Sequence, residues 1–256
     1  MLSFSVVIPA YKSSKYIPRL VESIIKSSQK TFFDVIFVDN GGHEEIDWQK
    51  NIYKLSQCPQ ICKILLIKNK KNRGVTFSRN RGYLLSKSDY VIFMDSDDLF
   101  TPNAIDIIAS DLDRSSIVDV ALFSTQYSSN IKCESKNAYC LIKDYGQGER
   151  LLVVRKISKG VPFCGALKGH EFYGLLKFLY KYGGAVKTFS SIVRVYTQDN
   201  ENSLTIENKN IPMRIKLMAI HHIKSSYLLL IQGFLFTGII FLLKGIYRFL
   251  QFYLKY

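Results

Sequence analysis

The stretch YVIFMDSDDLFTPN (residues 90–103) runs five strand-forming residues, Tyr90 to Met94, directly into Asp95, Asp97 and Asp98. A short apolar run bounded by turn residues reads as a buried strand. Three carboxylates within four residues repel one another unless something positive sits among them. Such a cluster fits a Ca²⁺ loop, a Mg²⁺ or Mn²⁺ site, or a solvated turn. The Ca²⁺ loop is excluded, because its sixth position is Phe100 rather than Gly and its twelfth lacks the bidentate Glu. Mg²⁺ and Mn²⁺ favour one or two carboxylates, with diphosphate oxygens completing the shell. That choice needs a nucleotide at the same place.

Working outward, FSVVIP (4–9), FDVIFVD (33–39) and ICKILLI (61–67) are further apolar runs. Between them, KYIPRLVESIIKS (15–27) places Ile17, Leu20, Val21, Ile24 and Ile25 on one helical face, and VTFSRNRGYLLSKS (75–88) also reads as a helix. Nearly all-apolar strands alternating with helices predict an α/β fold, Rossmann-like, with a mostly parallel sheet covered on both faces. Ligands of such sheets bind beyond the carboxyl ends of the strands. Pro9-Ala10-Tyr11, Asp39-Asn40 and Asp95-Ser96-Asp97 are therefore expected to converge at one rim. Past the aspartates, Thr101 is expected to cap a helix with Pro102 in its first turn. VDVALFS (118–124) reads as a strand, residues 125–165 show no clear period, EFYGLLKFLYKYGG (171–184) is a helix stopped by a Gly pair, and AVKTFSSIVRVY (185–196) reads as two short strands.

The chain has 256 residues, 47% hydrophobic and 22% charged, with a formal net charge of +14. No Asp or Glu follows Glu207, whereas Lys209, Arg214, Lys216, Lys224, Lys244, Arg248 and Lys255 do, so half of the net charge lies in the tail. There it flanks apolar residues, which suits a membrane surface better than a nucleic acid. Residues 227–243 carry no charge, at the short end of what crosses a bilayer. Lys244, Arg248, Gln251 and Lys255 then form one polar stripe on an aromatic-rich helix. The expectation is an interfacial helix or hairpin, with a true span, a buried helical pair and a dimer contact as alternatives. Five Cys with no C-x-x-C pair read as reduced thiols of a cytosolic protein rather than as a zinc site. The start, MLSFSVVIPAYK, reads as a first strand rather than a signal peptide, because no basic leader precedes it and Pro9 ends the run.

SVVIPAYKSSKYIPRLVESI (5–24), FDVIFVDNGG (33–42), NRGVTFSRNRGY (72–83) and YVIFMDSDD (90–98) resemble, in order and spacing, four blocks of the family 2 glycosyltransferases. Those are inverting enzymes of the GT-A fold. The resemblance is specific over 5–103, looser over 160–205 and absent in the tail. It implies a catalytic domain over 1–208, with a nucleotide-binding half (1–103) and an acceptor-side half (104–208); the basic, apolar pattern of the tail adds a helical membrane-association segment (209–256). It implies that Pro9, Ala10 and Tyr11 line the base and ribose pocket, that Asp39 and Asn40 meet the base, that Arg79 helps hold the nucleotide, that Asp95 lies at the ribose and that Asp97 binds Mg²⁺ or Mn²⁺. The family often has Asp-Asp-Gly-Ser where this chain has Asp39-Asn40-Gly41-Gly42. It usually draws its general base from a Glu-Asp pair opening a later helix. His170-Glu171 stands there instead, so Glu171 becomes the candidate base, with His170 positioning or replacing it. An acid at a helix start is also ordinary for structural reasons. The implied role is metal-dependent transfer of a sugar from a nucleoside-diphosphate sugar, a UDP-sugar first, to a glycan or lipid-linked acceptor in bacterial surface-polysaccharide or lipooligosaccharide assembly. The implied location is the cytoplasmic face of the inner membrane. A catalytically inactive nucleotide-sugar-binding or scaffold protein, and a nucleic-acid binder, are the competing readings.

Overall fold

The computed structural model describes residues 2–41, 46–128, 132–144, 149–157, 160–165, 171–197 and 212–255. Its strands are β1 (Phe4–Ala10), β2 (Phe33–Asp39), β3 (Ile61–Lys68), β4 (Tyr90–Phe93), β5 (Leu99–Phe100), β6 (Val120–Thr125), β7 (Cys133–Ser135), β8 (Arg150–Arg155) and β9 (Val186–Val195). They form one sheet in the order β3-β2-β1-β4-β8-β6-β9-β5, with β7 on β9. From β3 to β4 all pairings are parallel, as the strand–helix alternation of residues 4–94 demands. Beyond β4 the sheet is mixed: β8 runs antiparallel to both β4 and β6, and β9 runs parallel to β6.

Pro9 sits in a central strand without loss of a ladder bond. β1 pairs with β4 only from Phe4 to Val7, and the Val7 carbonyl takes the last bond from Met94 N–H, at 3.1 Å. Pro9 faces the side where β4 has already ended, so its missing N–H costs nothing. The same early end of β4 opens the rim.

Eight helices occur among the described residues: α1 (Ile17–Lys26), α2 (Trp48–Ser56), α3 (Val75–Leu85), α4 (Ala104–Asp113), α5 (Tyr139–Asp144), α6 (Glu171–Tyr182), α7 (Pro212–Ile231) and α8 (Leu235–Lys255). Two apolar cores divide them between the faces of the sheet. Ile17, Leu20, Val21 and Ile24 of α1, Leu55 of α2 and Ile105, Ile108 and Leu112 of α4 pack beside Val6, Ile8 and Phe37. Tyr83 of α3, Leu141 of α5, Leu176 and Leu179 of α6, Leu229 of α7 and Phe241 of α8 pack beside Val7, Val38 and Val91. Successive strand residues serve opposite cores, as the period of two requires. Each fully buried aliphatic side chain contributes roughly 1.5–3 kcal/mol.

Three expectations are corrected. The helix after the aspartates is not capped by Thr101 with Pro102 in its first turn: it begins at Ala104, with Asn103 at the cap position. Leu99 and Phe100 pair with β9, Thr101 N–H extends that pairing to the Val193 carbonyl (3.1 Å), and Asn103 turns the chain with φ 59°. Residues 186–195 form one strand, bent by register shifts between Phe123 and Thr125 of its neighbour, rather than two. Cys133 and Cys140 are joined in a disulfide, with Cα atoms 5.5 Å apart, because the short turn after β7 brings α5 back beside it. Cys58, Cys62 and Cys164 are free.

The apolar run 227–243 is not one helix. Gly233, at φ +84°, turns the chain in the left-handed region that favours glycine and separates α7 from α8. The two helices pack antiparallel, since Leu230 lies against Gly238, Ile223 against Gly245, and the Lys216 ammonium over the Phe252 ring at 5.7 Å. α7 buries Leu228 and Leu229 in the core it shares with α6. α8 is outermost and long and apolar enough over Leu235–Leu254 to cross a membrane, with only 17% of its apolar window buried.

Candidate active site

The carboxyl ends of β1, β2 and β4 meet at one rim. Ala10 and Asp39 are register partners, and Asn40 N–H donates to the Ala10 carbonyl at 2.7 Å. Ser13, just past β1, shares a 2.7 Å hydrogen bond with Ser96 between the aspartates. Arg19 of α1 donates to the Asp97 carbonyl at 2.9 Å, which ties the turn to the helix below. Pro9, Ala10, Tyr11, Asp39, Asp95 and Asp97 are thus gathered as the strand ends suggested. Pro9 and Ala10 are buried, Tyr11 is 40% exposed, and Asp39, Asp95 and Asp97 are half-buried.

Asp39 accepts from Gly41 N–H and from Trp48 Nε1, both at 3.2 Å. Each carboxylate oxygen keeps a further lone pair for an outside donor. Asn40 is buried, and its side-chain oxygen accepts from Asn69 Nδ2 (3.0 Å) and Arg73 N–H (3.1 Å) while its amide donates to Asn72 (2.8 Å). It ties down the loop from Asn69 to Arg73 from below.

The positive charge that the carboxylates call for is built into the chain. Arg79 of α3 lies buried between β4 and α6, with one arm of its guanidinium on Asp95 Oδ1 and the other on Glu171 Oε1. Its fork is therefore committed to two carboxylates. Burial pulls the Arg79 pKa down, but Asp95 and Glu171 outweigh it and the group is held above its ordinary value. Phe163 carries the guanidinium on its ring, 5.6 Å from the centroid. Asn80 clamps Phe163 by donating to its carbonyl (2.8 Å) and accepting its N–H (3.1 Å). Gly174 lets α6 come against this segment: a Cβ there would lie 2.7 Å from Phe163 Cα and Cys164 N. The start of α6, and Glu171 with it, is fixed against Arg79 by that close approach.

Arg194 of β9 is the residue that sequence reasoning missed. It is 3% exposed. Its Nη2 donates to Asp95 Oδ2 at 3.0 Å, its Nε to Asp98 Oδ2 at 2.5 Å, and Nη2 reaches Asp98 as well. Asp98, 1% exposed, also accepts from Thr197 N–H at 2.8 Å. Burial drives the Asp98 carboxyl up to about 7, against Arg194, with the Asp95 charge adding to the rise. Burial also raises Asp95, but Arg79 and Arg194 more than reverse it and hold Asp95 below the usual carboxylate range. The available signal for Arg194 was a lone charge inside the apolar run SIVRVY.

Asp95 and Asp98 of the aspartate cluster are therefore engaged by arginines, and Asp97 is half-buried, a carboxylate of the type that Mg²⁺ and Mn²⁺ accept. No group of three or more His, Cys, Asp or Glu stands ready for a metal among the described residues, and a nucleotide-shared ion does not require one. Glu171 is the first residue of α6, with its side chain 41% exposed. His170 lies outside the described residues.

Comparison with known proteins agrees with this architecture. The minor teichoic acid biosynthesis protein GgaA of Bacillus subtilis is 27% identical over 168 residues, 62% of this chain and 35% of that protein. The amylovoran biosynthesis glycosyltransferase AmsB of Erwinia amylovora is 39% identical over 98 residues, 38% of this chain and 31% of that protein. This chain spans about a third of the length of these curated relatives. Among solved structures, residues 1–349 of TarS from S. aureus superpose with a TM-score of 0.64 at 18% identity, covering 98% of this chain and 72% of that one. The mannosyltransferase PcManGT of Pyrobaculum calidifontis, solved with GDP-Man and Mn²⁺, superposes with a TM-score of 0.64 at 11% identity, covering 96% and 73%. Both likenesses are of fold. A profile described as "Glycosyl transferase family 2" matches residues 5–166, well over half of the molecule, and the chain belongs to the family 2 glycosyltransferases.

Proposed function

We propose that the protein transfers a sugar, with inversion, from a nucleoside-diphosphate sugar to a hydroxyl of a glycan or lipid-linked acceptor. The observation that carries this reading is the chain Glu171–Arg79–Asp95, which joins the opening of α6 to the carboxyl end of β4 through one buried guanidinium. It holds an accessible carboxylate at a set position over the rim. In this reading Pro9, Ala10 and Tyr11 line the base and ribose pocket. Asp39 accepts an imide N–H of a uracil-type base through its remaining lone pairs. Asn40 shapes the pocket by holding the 69–73 loop. Arg79 orients Asp95 and Glu171, and Asp95 meets the ribose.

Glu171 accepts the acceptor's proton as that oxygen bonds to the anomeric carbon and the bond from this carbon to the diphosphate oxygen breaks. Asp97 would hold Mg²⁺ or Mn²⁺; when bound, such an ion neutralises the charge that grows on the departing diphosphate. The relatives named for teichoic acid and amylovoran biosynthesis support a polymer of the cell surface as the destination. The exposed apolar flank of α8 supports work at the cytoplasmic face of a membrane.

The test is release of nucleotide and glycosylated product from UDP- and GDP-sugars, with and without Mn²⁺, followed by chromatography. Asp97→Ala and Glu171→Gln each lower turnover by about 10²–10³-fold while the chain stays folded. Donor binding by calorimetry with no turnover in wild type, over a panel of acceptors, would favour the inactive binding protein instead.

A further inference from the structure

On the face of the sheet that carries α6, a groove of about 460 Å³ runs between α6 and α7. Tyr173, Lys177, Tyr180 and Lys181 line it from α6 at positions i, i+4, i+7 and i+8, one helical face. Lys224 and Tyr227 line it from α7, with Ile223 and Leu228 beneath. Lys177, Lys181 and Lys224 are exposed, and among the described residues none of them pairs with a carboxylate. Three ammonium groups thus edge an apolar trough with no carboxylate paired to them among the described residues. Lys224 stands 6.0 Å from the Tyr173 ring inside it, and Lys181 stands 5.2 Å from the Tyr182 ring next to it.

The trough does not end at the lysines. Tyr227 (65% exposed) and Ile231 (44%), one turn apart on α7, lead to Leu235 (63%) and Phe236 (78%) past the hairpin turn. A bare cationic patch would suit any polyanion. A cationic patch continuous with an exposed apolar strip, with tyrosines where the two meet, suits a molecule that has a negative head and a hydrocarbon tail.

We propose that the α6–α7 groove seats the phosphate headgroup of an anionic membrane lipid, whose acyl chain lies along the exposed strip of the α7–α8 hairpin. The proposal rests on the membrane reading above and goes beyond it, because it places a headgroup site on α6, the helix that opens with Glu171. The occupant satisfies the three ammonium groups while the tyrosines stand at headgroup level. The membrane would then touch the same rigid helix that carries the candidate base.

The test uses the full chain in sedimentation with phosphatidylcholine vesicles and with vesicles containing 30% phosphatidylglycerol, by roughly equal-lipid comparison. Wild type is expected to bind both, and the anionic vesicles more tightly. K177Q/K181Q/K224Q should lose most of that increment, about a hundred-fold in partitioning for three surface lysines, and keep its binding to neutral vesicles. K26Q/K30Q/K50Q, the same charge change on the other face of the sheet, should lose less than about three-fold. Equal losses in the two variants, or no loss in the first, overturn the groove and leave the hairpin's membrane role standing. Wild type binding neither vesicle overturns both. Inorganic phosphate should release the wild type no more than chloride of equal ionic strength does; a specific release assigns the groove to a soluble phosphate and overturns the lipid.

Discussion

At the mouth of the sheet Arg79 and Arg194 each hold two carboxylates, whereas in the α6–α7 groove Lys177, Lys181 and Lys224 hold none among the described residues. Both places concentrate one sign of charge. At the rim the opposite sign is supplied from two remote parts of the chain, Arg79 of α3 and Arg194 of β9, and the start of α6 adds a further carboxylate. Arg79, Arg194 and Asp98 are buried, so their pairing is a condition of folding. In the groove the charges stay in water, where an unpaired ammonium is tolerated. A buried, paired charge says what the chain needs from itself. An exposed cluster without counter-charge says what it meets outside.

The difference predicts unequal responses to charge removal. Arg194→Leu should be the most damaging, because it leaves Asp98 and one oxygen of Asp95 without a cationic partner; a loss of about 3–5 kcal/mol in urea unfolding at pH 8 is expected. The loss should shrink at lower pH. Asp98 has a folded pKa of about 7 against an ordinary 3.8, so the native state holds a proton that the unfolded chain releases. Its contribution is fully present below about pH 3.8 and is lost as pH rises through 7, more steeply in the variant. A loss that is flat between pH 5.5 and 8 would show that Asp98 does not titrate there.

Arg79→Lys keeps the charge but cannot bridge Asp95 and Glu171 with one planar fork. Stability should fall by about 1–2 kcal/mol, and kcat by about a hundred-fold with a smaller change in donor KM, since a displacement of about 1 Å is enough. An unchanged kcat would mean that the bridge to Glu171 is not used in turnover. K177Q/K181Q/K224Q should have the smallest effect on unfolding, within about 0.5 kcal/mol of wild type in the absence of lipid, as expected for surface groups that support nothing. A loss above about 2 kcal/mol would place these lysines among the structural charges after all.

How much of this could be read beforehand follows the same division between local and remote partners. β1 to β4 were legible because each is a near-continuous apolar run closed by a turn residue, and the rim followed from their parallel direction. β8 was not, although it lies between β4 and β6 in the sheet. It is six residues with an arginine at either end, and those charges are satisfied by Asp144 and Asp119, which no local pattern reveals. Arg194 reads as an ordinary strand interruption until Asp95 and Asp98, nearly a hundred residues earlier, are brought beside it. Asn40 and Arg79 were legible as rim residues through the family resemblance, but their commitment to other side chains was not. Gly233 was the visible cue for the hairpin, and an apolar run averaged across it looks like one longer helix.

The antiparallel hairpin has a consequence for sidedness. Its first helix starts at Pro212 and its second finishes at Lys255, so the chain comes in and goes out at the same end, with the Gly233 turn at the far one. An epitope fused after residue 256 would emerge beside Pro212. Antibody or protease added from one compartment should then find the epitope and the nine-stranded sheet together, in intact vesicles, even though α8 alone is long enough to have separated them.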